Sequence, residues 1–301
     1  MAELSIIVAS INTQRTIQES LDALVNQNLN DEIEIFVIDS STDSSAEIAG
    51  RFEQITLIQK EPGYLVPELW KMGIDLAGGQ LVAFTTANFI PASNWVSELR
   101  TFLHSDHAAI GGVFEKLVPD AISQWAIYFL RYSAYLPSAL SRPVSQVASD
   151  NAVYQHWVFE KYGKLIEHGF WEHPVNRELV ADGYSLLLTP ELKVSMGYFS
   201  LPTEFFLQRF LHGRAFGAER ALRLSPAKRL IYIFVSPFIP VILLTRVSLQ
   251  VMKSKSQLVK FFFSMPWILF YISGWSLGEL SGYLFGVPDK KKMEPEDTFS
   301  A

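Results

Sequence analysis

The sequence predicts an α/β fold, a mostly parallel sheet with flanking helices, followed by two C-terminal hydrophobic helices. Three observations carry this expectation. Over the first hundred residues, short apolar runs alternate with segments of helical periodicity, a pattern that right-handed crossovers convert into a parallel sheet. Two of those runs stop abruptly at polar loops, Asp39-Ser40-Ser41-Thr42-Asp43 and Thr85-Thr86-Ala87-Asn88. From about residue 230 the chain changes character, with two long segments that carry almost no charge.

Leu4 to Ser10 is nearly continuous in apolar residues, as expected of a strand buried on both faces. Ile17, Leu21, Leu24 and Val25 then recur at helical spacing. Ile33 to Ile38 forms a second strand, Ile48 and Phe52 mark a short helix, and Thr56-Leu57-Ile58 reads as a third strand. Pro67 opens a helix bearing Leu69, Met72 and Leu76, since proline is favoured at the first helical position. Leu81 to Phe84 is the fourth strand, and Ala108 to Phe114 a later one. In that later strand Gly111 and Gly112 permit close approach of a ligand or another backbone. Residues 121–137 read as a helix rich in aromatics, including Trp125, Tyr128, Phe129, Tyr132 and Tyr135. Such a helix is either buried or placed at a membrane interface.

Leu230 to Met252 is apolar apart from Arg246 and a few hydroxyl or amide groups, and Phe261 to Phe285 is apolar apart from Glu279. Each exceeds the ~20 residues needed to cross a hydrocarbon core, although Pro237, Pro240, Pro266 and the two charges work against a simple span. Arg220, Arg223, Lys228 and Arg229 precede the first segment, Lys253, Lys255 and Lys260 lie between the two, and Lys290, Lys291 and Lys292 follow the second. A membrane hairpin with both ends cytosolic is the first reading, half-inserted helices the second, and a buried helical pair the third. The implied organisation is an α/β domain over 1–225, a hydrophobic hairpin over 226–288 and a polar tail over 289–301.

Composition narrows the function classes. With a net charge of −6 the chain has no global electrostatic case for nucleic-acid binding. It has no cysteine, which excludes disulfides, thiolate zinc sites and a cysteine nucleophile. The Met1-Ala2-Glu3-Leu4-Ser5 start lacks a basic and apolar leader, so the N-terminal domain is expected on the cytosolic face of the membrane. No Gly-x-Gly-x-x-Gly turn follows the first strand, which disfavours a dinucleotide-dependent oxidoreductase.

Several segments together resemble the family 2 glycosyltransferases: Ser5 to Asn12, Leu21 to Gln27, Glu34 to Asp43, Gly73-Ile74, Ala77-Gly78-Gly79, and Phe84 through Trp95. The resemblance covers roughly residues 4–220 and implies a GT-A fold, a Rossmann-like domain that binds a nucleotide-diphosphate sugar as donor. It also implies Asp39 as a nucleotide contact, with Ala9 and Asn12 lining the same pocket. A carboxylate after a strand suits that role, offering two acceptor oxygens to a base edge or ribose. Loop capping is the plainer role for Asp39, and the N-cap of the next helix is the role expected of Asp43.

In the family, the loop after the fourth strand carries Asp-x-Asp, whose carboxylates hold a divalent metal against the diphosphate. Here the matching residues are Thr86, Ala87 and Asn88, a neutral set that makes a poor magnesium or manganese site. A further metal ligand, often histidine, would fall near Val194-Ser195-Met196, where there is none. Arg209 and Arg214 are candidates to pair with the diphosphate in its place. A basic face directed at anionic lipid explains them equally well. Counting back from Leu179 and Gly183, the family's general base falls on Glu172. Gly112, Asp150 and Asn151 complete the expected donor or acceptor contacts, and terminating a strand is the plainer role of Asp150 and Asn151. The resemblance thus implies transfer of a sugar to a lipid-linked or cell-envelope acceptor with inversion, and the departures at Thr86 and Asn88 imply that it proceeds without the usual metal. The competing reading is a non-catalytic membrane protein that binds nucleotide sugar or scaffolds glycan assembly.

Overall fold

The computed structural model describes residues 2–27, 29, 32–116, 121–137, 140–197, 201–222, 224–254 and 257–286. The expected polar tail over 289–301 and the cations Arg223, Lys255, Lys290, Lys291 and Lys292 lie outside these residues. The chain divides into two compact units. In chain order the first runs β1 (Leu4–Ser10), α1 (Ile17–Val25), β2 (Ile33–Asp39), α2 (Ser45–Ala49), β3 (Thr56–Gln59), α3 (Val66–Ile74), β4 (Leu81–Thr86), β5 (Phe89–Pro91), α4 (Trp95–Arg100) and β6 (Ala109–Lys116). An excursion helix, α5 (Ile122–Tyr132), belongs to the second unit. The first unit then resumes with β7 (Arg142–Val144), β8 (Asn151–Gln155), α6 (Trp157–Lys161), α7 (Glu172–Ala181) and β9 (Leu186–Met196). The second unit continues with α8 (Pro202–Leu222), α9 (Pro226–Val235), α10 (Ile239–Ser254) and α11 (Leu258–Phe285).

The strands form one sheet in the order β3-β2-β1-β4-β8-β6-β9-β5, with β7 paired to β9. β1 is the central strand of the parallel half, flanked by β2 and β4, and all seven of its residues are buried. Burial on both faces is what its unbroken apolar run requires. Gly73 lets α3 lie close to this strand: a Cβ there would come within 2.3 Å of the Ile7 side chain. The parallel arrangement holds for β1 to β4, the strands joined by short helical crossovers. Beyond them the sheet is mixed, because β8 runs antiparallel to both β4 and β6. That strand follows the α5 excursion instead of a helical crossover, so the parallel rule does not bind it.

The second unit is organised around α11. Along its second half α8 makes a close backbone contact, since a Cβ at Gly278 would sit 2.0 Å from the Phe210 carbonyl oxygen and one at Gly217 2.3 Å from that of Glu279. Small residues at such a seam allow two helices to pack at backbone distance. The carboxylate of Glu279 is buried, and it accepts hydrogen bonds from Trp275 Nε1 at 3.0 Å and Tyr283 Oη at 2.7 Å. Arg220 of α8 forms an ion pair with it at 3.4 Å. A buried charge needs such partners to be tolerated. Along the first half, α5 packs Phe129 edge-on against Phe261 with centroids 5.3 Å apart.

Of the two readings of the aromatic helix, the structure selects burial: Trp125, Tyr128, Phe129 and Tyr132 are all buried. The helix ends at Tyr132 and passes into a single 3₁₀ turn, Ser133–Tyr135. α9 and α10 run antiparallel to α11, with Arg229 Nε donating to Tyr283 O at 2.6 Å and Ser276 Oγ to Ser236 O at 2.6 Å. A 3₁₀ turn at Ser236–Phe238 separates α9 from α10, where Pro237 removes a backbone donor. By length and composition Pro226–Lys253 and Leu258–Phe285 can each cross a membrane. The change of composition near residue 226 is not where packing divides the chain, because α5 and α8 belong with the hydrophobic helices.

Replacing Gly278 with leucine should force α8 and α11 apart. Overpacking of this kind costs about 1–3 kcal/mol, so a lowered thermal midpoint is expected in detergent, with Gly278→Ala intermediate. An unchanged midpoint in both variants would show that the close seam is not needed for stability.

Candidate active site

Three loops leave the same edge of the sheet. In the ladder Ser10 lies beside Asp39, and Ala9 lies between Ile38 and Thr86. The Ala9 side chain is buried, and its carbonyl accepts Ala87 N–H at 2.9 Å. Asp39 is buried at this edge. Its Oδ2 accepts the Ser10 hydroxyl at 2.5 Å and the Ser41 hydroxyl at 2.7 Å, while Oδ1 accepts Ser41 N–H at 3.1 Å. A carboxylate oxygen holds two lone pairs, so among the described partners Oδ1 retains the spare acceptor site.

Asn12 adopts the left-handed backbone region with φ of 51°, which asparagine tolerates better than most residues. This turns its N–H toward Ser41 Oγ at 2.8 Å and its side-chain oxygen toward Thr42 N–H at 2.9 Å. Asp43 fastens the same two loops. Its Oδ1 accepts Ser45 N–H at 3.0 Å at the start of α2, and its Oδ2 accepts Gln14 N–H at 3.1 Å. Its capping is therefore real, although Ser44 occupies the N-cap position itself. Sequence reasoning missed the hydroxyl network of Ser10, Thr13, Ser41 and Ser45 around these acids. The available signal was the run of five Ser and Thr residues between positions 40 and 45.

The neutral loop is built differently. Thr86 ends β4 and is buried, and Asn88 Oδ1 accepts the Thr16 hydroxyl at 3.3 Å. Among the described residues no three His, Asp or Glu side chains converge as a metal-binding group. A hard divalent cation prefers anionic oxygen, and this loop supplies an amide already engaged with Thr16 and a buried hydroxyl. The residues present do not fit the metal that the family resemblance implies.

Glu172 is the first residue of α7. Its place is set by Gly169 and Phe170. Gly169 has a φ of 141°, and Phe170 N–H donates to Pro67 O at 2.7 Å. The Phe170 ring enters an aromatic cluster with Phe84 at 4.8 Å, Tyr154 at 5.3 Å and Phe159 at 5.3 Å between centroids. One turn along α7, Asn176 accepts from Tyr154 Oη at 2.9 Å and donates to Val147 O at 3.0 Å. Burial pushes the Glu172 carboxyl up to about 7, and the negative charge of Asp150 adds to the rise against an opposing backbone hydrogen bond. Desolvation and a like charge both disfavour the ionised form. Asp150 thus contributes to the charge environment of Glu172, although the two are far apart in sequence.

Two expected contacts are corrected. Asn151 is fully buried: its oxygen accepts Trp95 Nε1 at 2.9 Å and its amide donates to Val113 O at 3.1 Å and Leu192 O at 3.2 Å. These bonds bridge an irregularity in the β6–β9 ladder between Gly112 and Val113. Every hydrogen-bonding site on the amide nitrogen is used, so Asn151 holds the sheet and offers no donor to a ligand. At Gly112 a Cβ would lie 2.0 Å from Leu192 O and 2.3 Å from Asn151 Nδ2. Backbone and side chain already fill the space that was expected to admit a ligand. Arg209 and Arg214 belong to α8 in the second unit, and each has a buried Nε without a hydrogen-bond partner among the described residues. The Arg209 guanidinium lies over the Phe205 and Trp275 rings at 5.1 and 5.8 Å. Burial, with Arg131 nearby, draws its pKa down to about 10.

The first unit, a parallel α/β half-sheet with an acid at the end of its second strand joined to a mixed half, has the architecture expected of a GT-A fold. The profile of glycosyl transferase family 2 matches residues 5–163, more than half of the chain, and the chain belongs to that family. Among solved structures it is similar to the mannosyltransferase PcManGT from Pyrobaculum calidifontis in complex with GDP-Man and Mn2+. That match has 15% identity, a TM-score of 0.58, and covers 92% of this chain and 87% of that one. It is also similar to S. aureus TarS in complex with UDP, at 15% identity and a TM-score of 0.48 over 94% of this chain and 91% of that one. A search of curated proteins finds no match.

Two outcomes are expected. Asn151→Ala strands the Trp95 donor and two buried carbonyls, so denaturant unfolding should show a loss of about 2–4 kcal/mol. The second concerns pH. The folded-state pKa of Glu172 lies above its ordinary value, so its contribution to stability is full below about 4.5 and is lost as pH rises through about 7. Glu172→Gln should therefore be the more stable protein at pH 8, by about 1–3 kcal/mol, and should match wild type near pH 4.

Proposed function

We propose that this glycosyltransferase moves a sugar from a nucleotide-diphosphate donor to a lipid-linked or cell-envelope acceptor at the cytosolic face of a membrane. The reaction would invert the anomeric centre. Glu172 carries the proposal: it is a carboxylate at the head of a helix, buried enough that its pKa is near 7, where a general base works best. In its ionised form it takes the proton of the acceptor hydroxyl while that oxygen attacks the anomeric carbon. The bond from that carbon to the β-phosphate oxygen breaks, and its electron pair leaves with the nucleotide diphosphate.

Asp39 takes the nucleotide. Its free Oδ1 site accepts from a base edge or ribose hydroxyl, while Ser10 and Ser41 hold the carboxylate still. Asn12 and Thr86 border the same edge, and Asp150, whose charge is felt at Glu172, is the candidate acceptor contact. Since the Thr86-Ala87-Asn88 loop does not suit a divalent metal, the charge of the departing diphosphate is assigned to cationic side chains. The absence of acid from that loop equally favours a protein that binds donor without turnover, and one experiment separates the two.

Full-length protein in detergent, given lipid acceptors and a panel of nucleotide sugars, should release nucleotide diphosphate in the presence of EDTA. Turnover should rise with pH through about 7 and fall at least ~100-fold in Glu172→Gln, with donor binding retained. Asp39→Ala should instead weaken donor binding. Donor binding with no release under any condition would establish the non-catalytic reading. Release that requires manganese would overturn the metal-free one.

A further inference from the structure

Resting on the membrane reading above, we infer that the helical unit lies in the plane of one anionic leaflet and that its hairpin does not cross the bilayer. α11 has protein neighbours along its length. α5 accompanies the first half, with Ser264 Oγ donating to Ile122 O and Tyr271 Oη to Ser123 O, both at 3.4 Å. α8 runs parallel to the second half, from Phe205 against Tyr271 to Arg220 against Tyr283. If α11 spanned the membrane, α8 would be carried into the hydrocarbon with it, together with Glu204, Arg209, His212, Arg214 and Arg220. Of these, among the described residues, only Arg220 has a partner of opposite charge, and unpaired charge at that depth is costly.

The uncovered surface fits an interfacial position instead. Phe263, Phe270, Leu277 and Leu284 repeat every seventh residue along α11, all exposed, while Ser264, Tyr271 and Gly278 at the same spacing are buried. Val235, Ile242 and Leu249 make a similar exposed row along α9 and α10. One apolar stripe beside a covered, polar-bearing face is the form of a helix that lies in a membrane surface. Charge points to the lipid class. In a chain of net charge −6, residues 226–278 hold six cations (Lys228, Arg229, Arg246, Lys253, Lys255 and Lys260) and no acid. Such a segment is drawn to anionic headgroups.

The chain has no cysteine, so single thiols report topology directly. Thr203→Cys, in the first turn of α8, and Lys253→Cys, in the last turn of α10, are made in the full-length protein. Each is treated with an impermeant maleimide in sealed inside-out and right-side-out membrane vesicles. Labelling of both positions from the cytosolic side alone is expected. For the purified protein, vesicle binding should fall roughly tenfold when phosphatidylglycerol is replaced by phosphatidylcholine. Labelling at position 253 from the opposite side would overturn the in-plane placement and leave the membrane reading intact. Recovery of the protein in the soluble fraction would overturn both.

Discussion

The first unit depends on one apolar contact, the insertion of Phe170 among Phe84, Tyr154 and Phe159. Phe84 belongs to β4, Tyr154 to β8 and Phe159 to α6, so a single ring joins three elements of the sheet layer. Trp70 of α3 closes the cluster edge-on against Phe84 and Phe170. Each aromatic pair is worth about 0.5–1.5 kcal/mol beyond its buried area. The consequence is positional as well as energetic. Phe170 stands two residues before Glu172, and the same cluster sends Tyr154 Oη to Asn176 on α7. The start of α7 is therefore held from both sides, and the carboxyl group inherits a fixed and partly desolvated position.

At the edge of the sheet the controlling interaction is hydrogen bonding. Asp39 would be expensive to bury without partners, and the Ser10 and Ser41 hydroxyls supply them. Their geometry follows from the ladder, which sets Ser10 beside Asp39. Asn12, Asp43 and Ser45 extend the same network, so the β1 and β2 loops are fastened to one another. The β4 loop shares the edge without sharing the chemistry. Its amide and hydroxyl are neutral, where the β2 loop carries Asp39 and Asp43.

The second unit is governed by close approach. Glycines in α8 and α11 remove the side chains that would separate the two backbones, and this brings Arg220 within reach of Glu279. An acid that looks anomalous in an apolar segment is thereby paired, and α5 and α8, which lie outside the two hydrophobic segments, become part of the same unit.

The sequence by itself determined the fold class, the parallel strands β1 to β4 and the two hydrophobic segments. Each rests on local periodicity and on turn residues that act over a few positions. It also singled out Asp39 and Glu172, through motif spacing and family resemblance. Only the tertiary structure decided what depends on residues far apart in the chain. Asn151 reads like a ligand contact beside Asp150, yet its amide is spent on Trp95, Val113 and Leu192. Gly112 reads like a place for a ligand or another backbone to approach, and the Leu192 backbone is what fills it. The hydroxyls around Asp39 and the allegiance of α5 and α8 to α11 are likewise products of packing. A linear pattern records which face of an element is apolar. It does not record which distant polar group will claim a given lone pair, because that choice is made only when the sheet and helices close on one another.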